Sequence, residues 1–211
     1  MMNFARAFAY CVFALLSLQT ALFGIDFPRY NIVDGVTVLG AGGLNIAGKS
    51  AVHEKDTLPS YVNFSGALNL WYGNLFHLGE GEWALHAQAG LFAGYVPVYI
   101  YTDETSKKKS SDVKFPLVGE MRLIHNSGLF AGLGGGYAHT IIKTLDITEA
   151  VGGAAVVSAQ LGWEISLPYD IQAGFTLRAL YFIQQIENVN GTRGLNNQIN
   201  ILPLLQIGYR F

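Results

Sequence analysis

Glu120, Arg122, Glu164 and Arg178 are the charged residues best placed to do chemistry, because each sits in a stretch of apolar and small residues. Two carboxylates and two guanidiniums balance in charge, and the planar Arg fork matches a carboxylate in shape. They are expected to form a neutral network across the lower interior of the molecule. Such a network either satisfies buried polar groups as a plug or acts as a gate that admits small solutes. Two other constellations deserve a test as catalytic sites. His125-Asn126-Ser127 sets a base and a hydroxyl two residues apart, but no carboxylate follows until Asp146. His53, Glu54, Asp56 and Ser60 cluster in a polar segment, where such residues ordinarily solvate a loop. Neither makes the chain an enzyme, and no metal or cofactor is expected.

The elements that must position the network repeat at period two, the signature of β-strands with unlike faces. Eight segments show it: 36–47, 61–72, 83–95, 115–124, 129–141, 153–165, 171–183 and 198–211. In the last, Ile199, Ile201, Pro203, Leu205, Ile207, Tyr209 and Phe211 alternate with Asn200, Leu202, Leu204, Gln206, Gly208 and Arg210. No charged residue falls on the apolar face of any segment. Eleven residues at roughly 3.4 Å each, tilted by about 40°, cover about 28 Å, close to the apolar band of a transmembrane barrel. The fold expected is all-β, an eight-stranded antiparallel up-and-down transmembrane barrel.

An even strand number puts both termini on the periplasmic side. Short turns are expected near His125–Gly128 and Ser166–Asp170, and a longer periplasmic turn at Gly73–Glu82. Loops on the other side are expected at Gly48–Ser60, Val96–Lys114, Ile142–Gly152 and Gln184–Asn197. This order sorts aromatic residues by height without having used them: Tyr72, Trp83, Trp163, Tyr209 and Phe211 fall at the periplasmic rim. Phe64, Tyr95, Phe115, Tyr137 and Tyr181 fall toward the outer rim, as the two aromatic girdles of a membrane barrel do. The inward faces carry Asn45, Asn63, Asn69, His86, Gln88, Gln160, Gln172 and Gln206 with the four charged residues. Leu39, Trp71, Phe92, Phe130 and Phe182 are expected to line the lumen with apolar surface. Glycines 132, 134 and 136 let the fifth strand coil tightly or leave room for long side chains. Pro203 cannot donate a ladder hydrogen bond, so a bulge or local gap is expected there.

Composition agrees with a membrane barrel. Only 13% of residues are charged and 51% are hydrophobic, yet beyond the N-terminus no apolar run reaches the length of a transmembrane helix. A soluble lipocalin-type barrel would carry many more Lys and Glu on alternate strand positions. The net charge of −2 argues against a nucleic-acid partner. Residues 1–24 read as a signal peptide, with Arg6 before the apolar run Ala7–Leu18. Residues 25–211 then form the barrel domain, without cysteine, because Cys11 lies in the segment removed. Lys107, Lys108 and Lys109 in the second loop read as a solvated tip or as a contact for anionic lipopolysaccharide.

The signal segment, the alternating strands, the girdles and the terminal Phe211 together resemble the small eight-stranded bacterial outer-membrane β-barrels, the superfamily of the OmpA transmembrane domain, OmpX and OmpW. The resemblance implies Tyr209 and Phe211 as part of the C-terminal assembly signal, and periplasmic chaperones, the barrel-assembly machinery and outer-membrane lipids as partners. It also implies a monomer. In the OmpW type a partly hydrophobic interior passes small apolar molecules sideways into the membrane, whereas OmpX-like members have a filled interior and protruding strands. The function expected is a narrow channel or transporter for small, apolar solutes. The alternative is a structural or adhesive surface protein with a plugged lumen.

Overall fold

A computed structural model describes residues 35–47, 61–79, 84–102, 109–143, 150–187 and 193–211. Eight strands, β1 (Val36–Ala47), β2 (Tyr61–Leu78), β3 (Leu85–Thr102), β4 (Lys109–His125), β5 (Leu129–Lys143), β6 (Ala150–Ser166), β7 (Ile171–Glu187) and β8 (Arg193–Arg210), follow one another around a closed antiparallel barrel. β1 closes the ring against β8, from Thr37↔Arg210 to Ala47↔Asn200. The rim that holds the turns 125–128 and 167–170 and the terminal Phe211 is called the turn rim below; the opposite one is the far rim.

Alternation decides which way each face points. Leu68, Leu117, Met121, Leu133, Leu205 and Ile207 stand exposed on the outside, while Asn69, Glu120, Arg122, Gln160, Arg178 and Gln206 are buried inside. A soluble barrel would show the reverse, since it must hide apolar surface from water. The molecule is an eight-stranded barrel with an apolar exterior and a mixed, mostly polar lumen.

Several boundaries differ from those expected. β2 does not turn at Gly73 but runs on to Leu78 through a bulge, where the register against β3 shifts between Tyr72↔Ala89 and Phe76↔Ala87. Gly73 adopts φ 44°, a left-handed conformation that glycine takes without strain. The bulge breaks the period of two, which hid this part of the strand. β3 begins at Leu85 rather than at residue 83. Beyond the far rim, β3 to β8 extend well past their expected ends, and Thr102↔Lys109, Ile142↔Ala150 and Glu187↔Arg193 are still paired. The segments expected as loops at Val96–Lys114 and Gln184–Asn197 are therefore largely strand, and Ile142–Gly152 is strand at both of its described ends. Val96–Tyr101 is apolar at every position and 184–197 is mostly polar; backbone pairing needs no alternation, so the pattern fell silent where the hairpins continued.

Three prolines mark three interruptions of the wall. At Pro203 the β1–β8 register is the same on both sides, Gly43↔Leu204 and Ile46↔Ile201, but the intervening residues are unpaired: a gap without a bulge. At Pro116 the β3–β4 pairing jumps from Ala93↔Leu117 to Val96↔Lys114. At Pro97 a register shift follows on the β4 side, and pairing with β2 ends at Gly66↔Tyr95. Each proline lacks the N–H its seam would need. The expected signal segment 1–24, the loop residues His53, Glu54, Asp56 and Ser60, Trp83, and Lys107 and Lys108 lie outside the described residues.

Candidate functional site

The lumen is built in layers, and the layer nearest the turn rim holds Arg122. β4 and β6 bring Arg122 and Glu164 together in a two-pronged ion pair, Arg122 Nη1 to Glu164 Oε1 and Nη2 to Oε2 at 2.9 Å. Arg122 Nε donates to Gln88 Oε1 at 2.8 Å, and Gln206 Nε2 donates to Glu164 Oε1 at 2.6 Å. The guanidinium lies between two rings, 4.1 Å from the Trp71 centroid and 4.7 Å from that of Phe130. Burial strengthens every one of these contacts because no water competes for the donors.

One layer further in, Arg178 on β7 pairs with Glu120 on β4. Its Nη2 donates to Asn69 Oδ1 at 3.0 Å and to Gln160 Oε1 at 3.1 Å. Ser158 and Gln160 complete the Glu120 carboxylate at 2.6 and 3.0 Å. Arg178 stacks on Phe92 with its guanidinium carbon 3.7 Å from the ring centroid. Glu120, Arg122, Glu164 and Arg178 thus meet in the lumen as two charge-balanced pairs in adjacent layers. Amide side chains and the Ser158 hydroxyl take further acceptor and donor positions, while Arg178 Nε is left without a hydrogen-bond partner among the described residues.

Above them lies an apolar layer of Phe92, Val96, Val118, Val156, Leu180, Phe182, Leu202 and Leu204, all buried. A third ion pair follows toward the far rim: Lys114 Nζ sits 3.0 and 3.1 Å from the Asp112 carboxylate oxygens and 3.3 Å from Gln184 Oε1. Sequence reading missed this pair, because it took Asp112 and Lys114 for loop residues. The signal was present in their equal parity with Glu120 and Arg122. At the same end Asn45 and Asn63 both donate to the Pro97 carbonyl, at 2.6 and 3.3 Å, and Asn200 donates to Asn45. The amide groups thus bind the bulged β3 backbone across the interrupted β2–β3 seam.

The residues expected as an apolar lining have a more specific task. Leu39 is packed inside at 0% exposure, while Trp71, Phe130, Phe92 and Phe182 each face a cation, Phe182 with Lys114 Nζ at 5.6 Å. A ring so covered offers its face to an ammonium or guanidinium, not to a passing solute. Room for these bulky groups comes from glycine. Trp71, Glu120, Arg122, Phe130 and Glu164 pair in register with Gly90, Gly134, Gly132, Gly162 and Gly174. A Cβ on any of these glycines would come within 3 Å of the opposed side chain.

At the turn rim, His125 Nδ1 lies 2.8 Å from Ser127 Oγ. The same nitrogen accepts the Ser127 backbone N–H at 3.1 Å, so the ring caps its own turn. Gly128 closes that turn at φ 88°, where a Cβ would meet the Glu164 carbonyl. Trp163 Nε1 donates to the Ser127 carbonyl at 2.7 Å. Outside, Tyr72, Tyr209 and Phe211 stand exposed near this rim, the last two edge to face with centroids 5.0 Å apart. Tyr95, Phe115, Tyr137 and Tyr181 are exposed toward the far rim, and Tyr95 and Phe115 are in ring contact at 5.7 Å.

No protein-family model matches the chain, and no curated protein matches it in sequence. Solved structures do match its shape. Neisserial surface protein A is similar at a TM-score of 0.50 and 10% identity, over 83% of this chain and 97% of that one. Ail, the attachment invasion locus protein of Yersinia pestis, solved with the heparin analogue sucrose octasulfate, is similar at 0.45 and 9%, over 85% and 100%. The outer membrane protein AlkL, solved in lipid bilayers, is similar at 0.45 and 10%, over 86% and 93%. The fold is that of the small eight-stranded outer-membrane β-barrels.

Proposed function

We propose that the chain is a non-enzymatic outer-membrane barrel with a closed lumen, a surface protein rather than a through-channel. The observation that carries this reading is the doubled layer Arg122–Glu164 and Arg178–Glu120, buried to 5% exposure or less and roofed by an apolar layer. An eight-stranded barrel is just wide enough for its own side chains to fill, and these fill it. In this reading residues 1–24 are removed, both termini and the turn rim face the periplasm, and the prolonged hairpins of β3 to β8 stand out from the cell. Tyr209 and Phe211 present the assembly signal, and the barrel sits in lipid as a monomer.

The narrow channel for small apolar solutes is the second reading, and one observation favours it. The seams broken at Pro97, Pro116 and Pro203 lie beside the apolar layer, above the plug, where a solute could leave sideways into the bilayer. Planar-bilayer recordings and uptake of small hydrophilic and hydrophobic solutes into proteoliposomes separate the two. The closed reading expects no conductance steps and no uptake. Uptake confined to hydrophobic solutes selects the second reading, and conductance steps by the unaltered protein overturn the first.

A further inference from the structure

The β2 bulge re-aims a side chain. Continued past Tyr72, the β2–β3 register would set Leu75 opposite His86; the shift sets His77 there instead. The two imidazoles have centroids 6.1 Å apart and planes inclined by 32°. His77 is exposed at the turn rim and His86 is half-buried. His86 Nδ1 lies 3.2 Å from Asn74 Oδ1 and Nε2 lies 3.2 Å from Asn126 Oδ1. A neutral imidazole carries one N–H, so it can donate to one amide oxygen while its other nitrogen keeps a lone pair.

We propose that His77 and His86 form a two-imidazole site for a divalent metal ion of the Zn2+, Ni2+ and Cu2+ class. Neutral imidazole is the nitrogen ligand these ions prefer. A hydrogen bond from the far ring nitrogen is the usual device that fixes a ligating ring; in His86 one of the two amide oxygens can accept it, while the ion takes the place of the other. Two imidazoles on one tetrahedral ion place their centroids about 5 Å apart. The rings therefore need to close by roughly 1 Å, which rotation of the exposed His77 side chain supplies. Among the described residues no group of three or more His, Cys, Asp or Glu is arranged to hold a metal. The site is thus an open one, with two protein nitrogens and water in the other positions. An ion there would cross-link β2 to β3 just beyond the bulge that interrupts their ladder.

Calorimetric titration of the tag-free, refolded barrel in detergent micelles with Zn2+ tests this. One ion per chain is expected, with affinity lowered at least about tenfold in His77→Ala and unchanged in His139→Ala, on the outside of β5. Zn2+ should also raise the unfolding midpoint of the unaltered barrel but not that of His77→Ala. His77 is exposed, so this variant keeps the fold, which heat-modifiable gel mobility checks. No Zn2+ binding by the unaltered barrel, a smaller loss in His77→Ala, or a loss in His139→Ala overturns the proposal.

Discussion

The indole of Trp71 lies against Gly90, its register partner on the next strand, so closely that a Cβ there would stand 2.4 Å from Cε3. The contact lets Trp71 lie flat enough to receive the Arg122 guanidinium on its ring. Gly90→Ala is therefore expected to destabilise the barrel by about 1–3 kcal/mol, as overpacking does. Gly66→Ala is the contrast, since nothing lies within 4 Å of a Cβ at that position. It should be neutral or stabilising by up to about 1 kcal/mol, through the unfolded chain. Urea unfolding in micelles measures both.

Removing one partner of a buried ion pair leaves the other charge uncompensated. Arg122→Met and Glu164→Gln should each cost about 3–5 kcal/mol, and the double variant much less than their sum. The same unfolding assay, run as a double-mutant cycle, decides this. Additive costs would mean that the pair contributes no coupling.

Arg178→Ala removes the cation from the second layer but leaves the Arg122–Glu164 layer intact. Single-channel recordings of this variant should show no conductance, because the remaining layer still crosses the lumen. Conductance that appears on this substitution would make Arg178 a gate.

The Pro203 carbonyl points toward β1, where a Cβ on Gly43 would approach it to 2.1 Å, so the missing N–H is the one that seam lacks. Pro203→Val should supply it, stabilise the barrel by about 1 kcal/mol and slow amide exchange on both sides of the gap. Exchange rates unchanged at Leu44 and Asn45 would show that the gap has another cause.

Tyr169 and Asp170 occupy left-handed conformations at φ 63° and 58°, a pair that hairpin turns usually assign to Asn-Gly. Replacing them with Asn and Gly should raise stability by about 1–2 kcal/mol. A lower unfolding midpoint in the double variant would show that Tyr169 makes a contact that matters more.

Strand number, the inside and outside faces and the antiparallel order could be read in the sequence because lipid and lumen impose opposite demands at period two. Parity alone put Glu120, Arg122, Glu164 and Arg178 on inward faces. Parity could not say which Arg meets which Glu, since that depends on the register between strands that are not neighbours, β4 with β6 and β4 with β7. The Asp112–Lys114 pair was lost for a different reason: the strand was expected to begin at Phe115, although Asp112 and Lys114 continue its inward parity in alternation with Val113 and Phe115. The bulge at Gly73 shifted the β2–β3 register by two residues, so the pattern would have set Leu75, not His77, opposite His86. The aromatics of the lumen were legible as inward and bulky, but not as platforms for cations.

The pairing of bulky lumen residues with glycine has a consequence for how the barrel closes. Slipping a hairpin by one residue turns side chains inside out and is detected by polarity, but a slip of two keeps every face correct. In this barrel a two-residue slip would set Trp71 against Gln88 or Phe92, Phe130 against Gln160 or Glu164, and Glu164 against Gln172 or Thr176. None of these partners leaves the space that glycine does. At these three seams the glycines therefore disfavour misalignments that hydrophobicity cannot see; between β4 and β5, where Gly132, Gly134 and Gly136 alternate along the strand, a slip of two would bring Glu120 to another glycine.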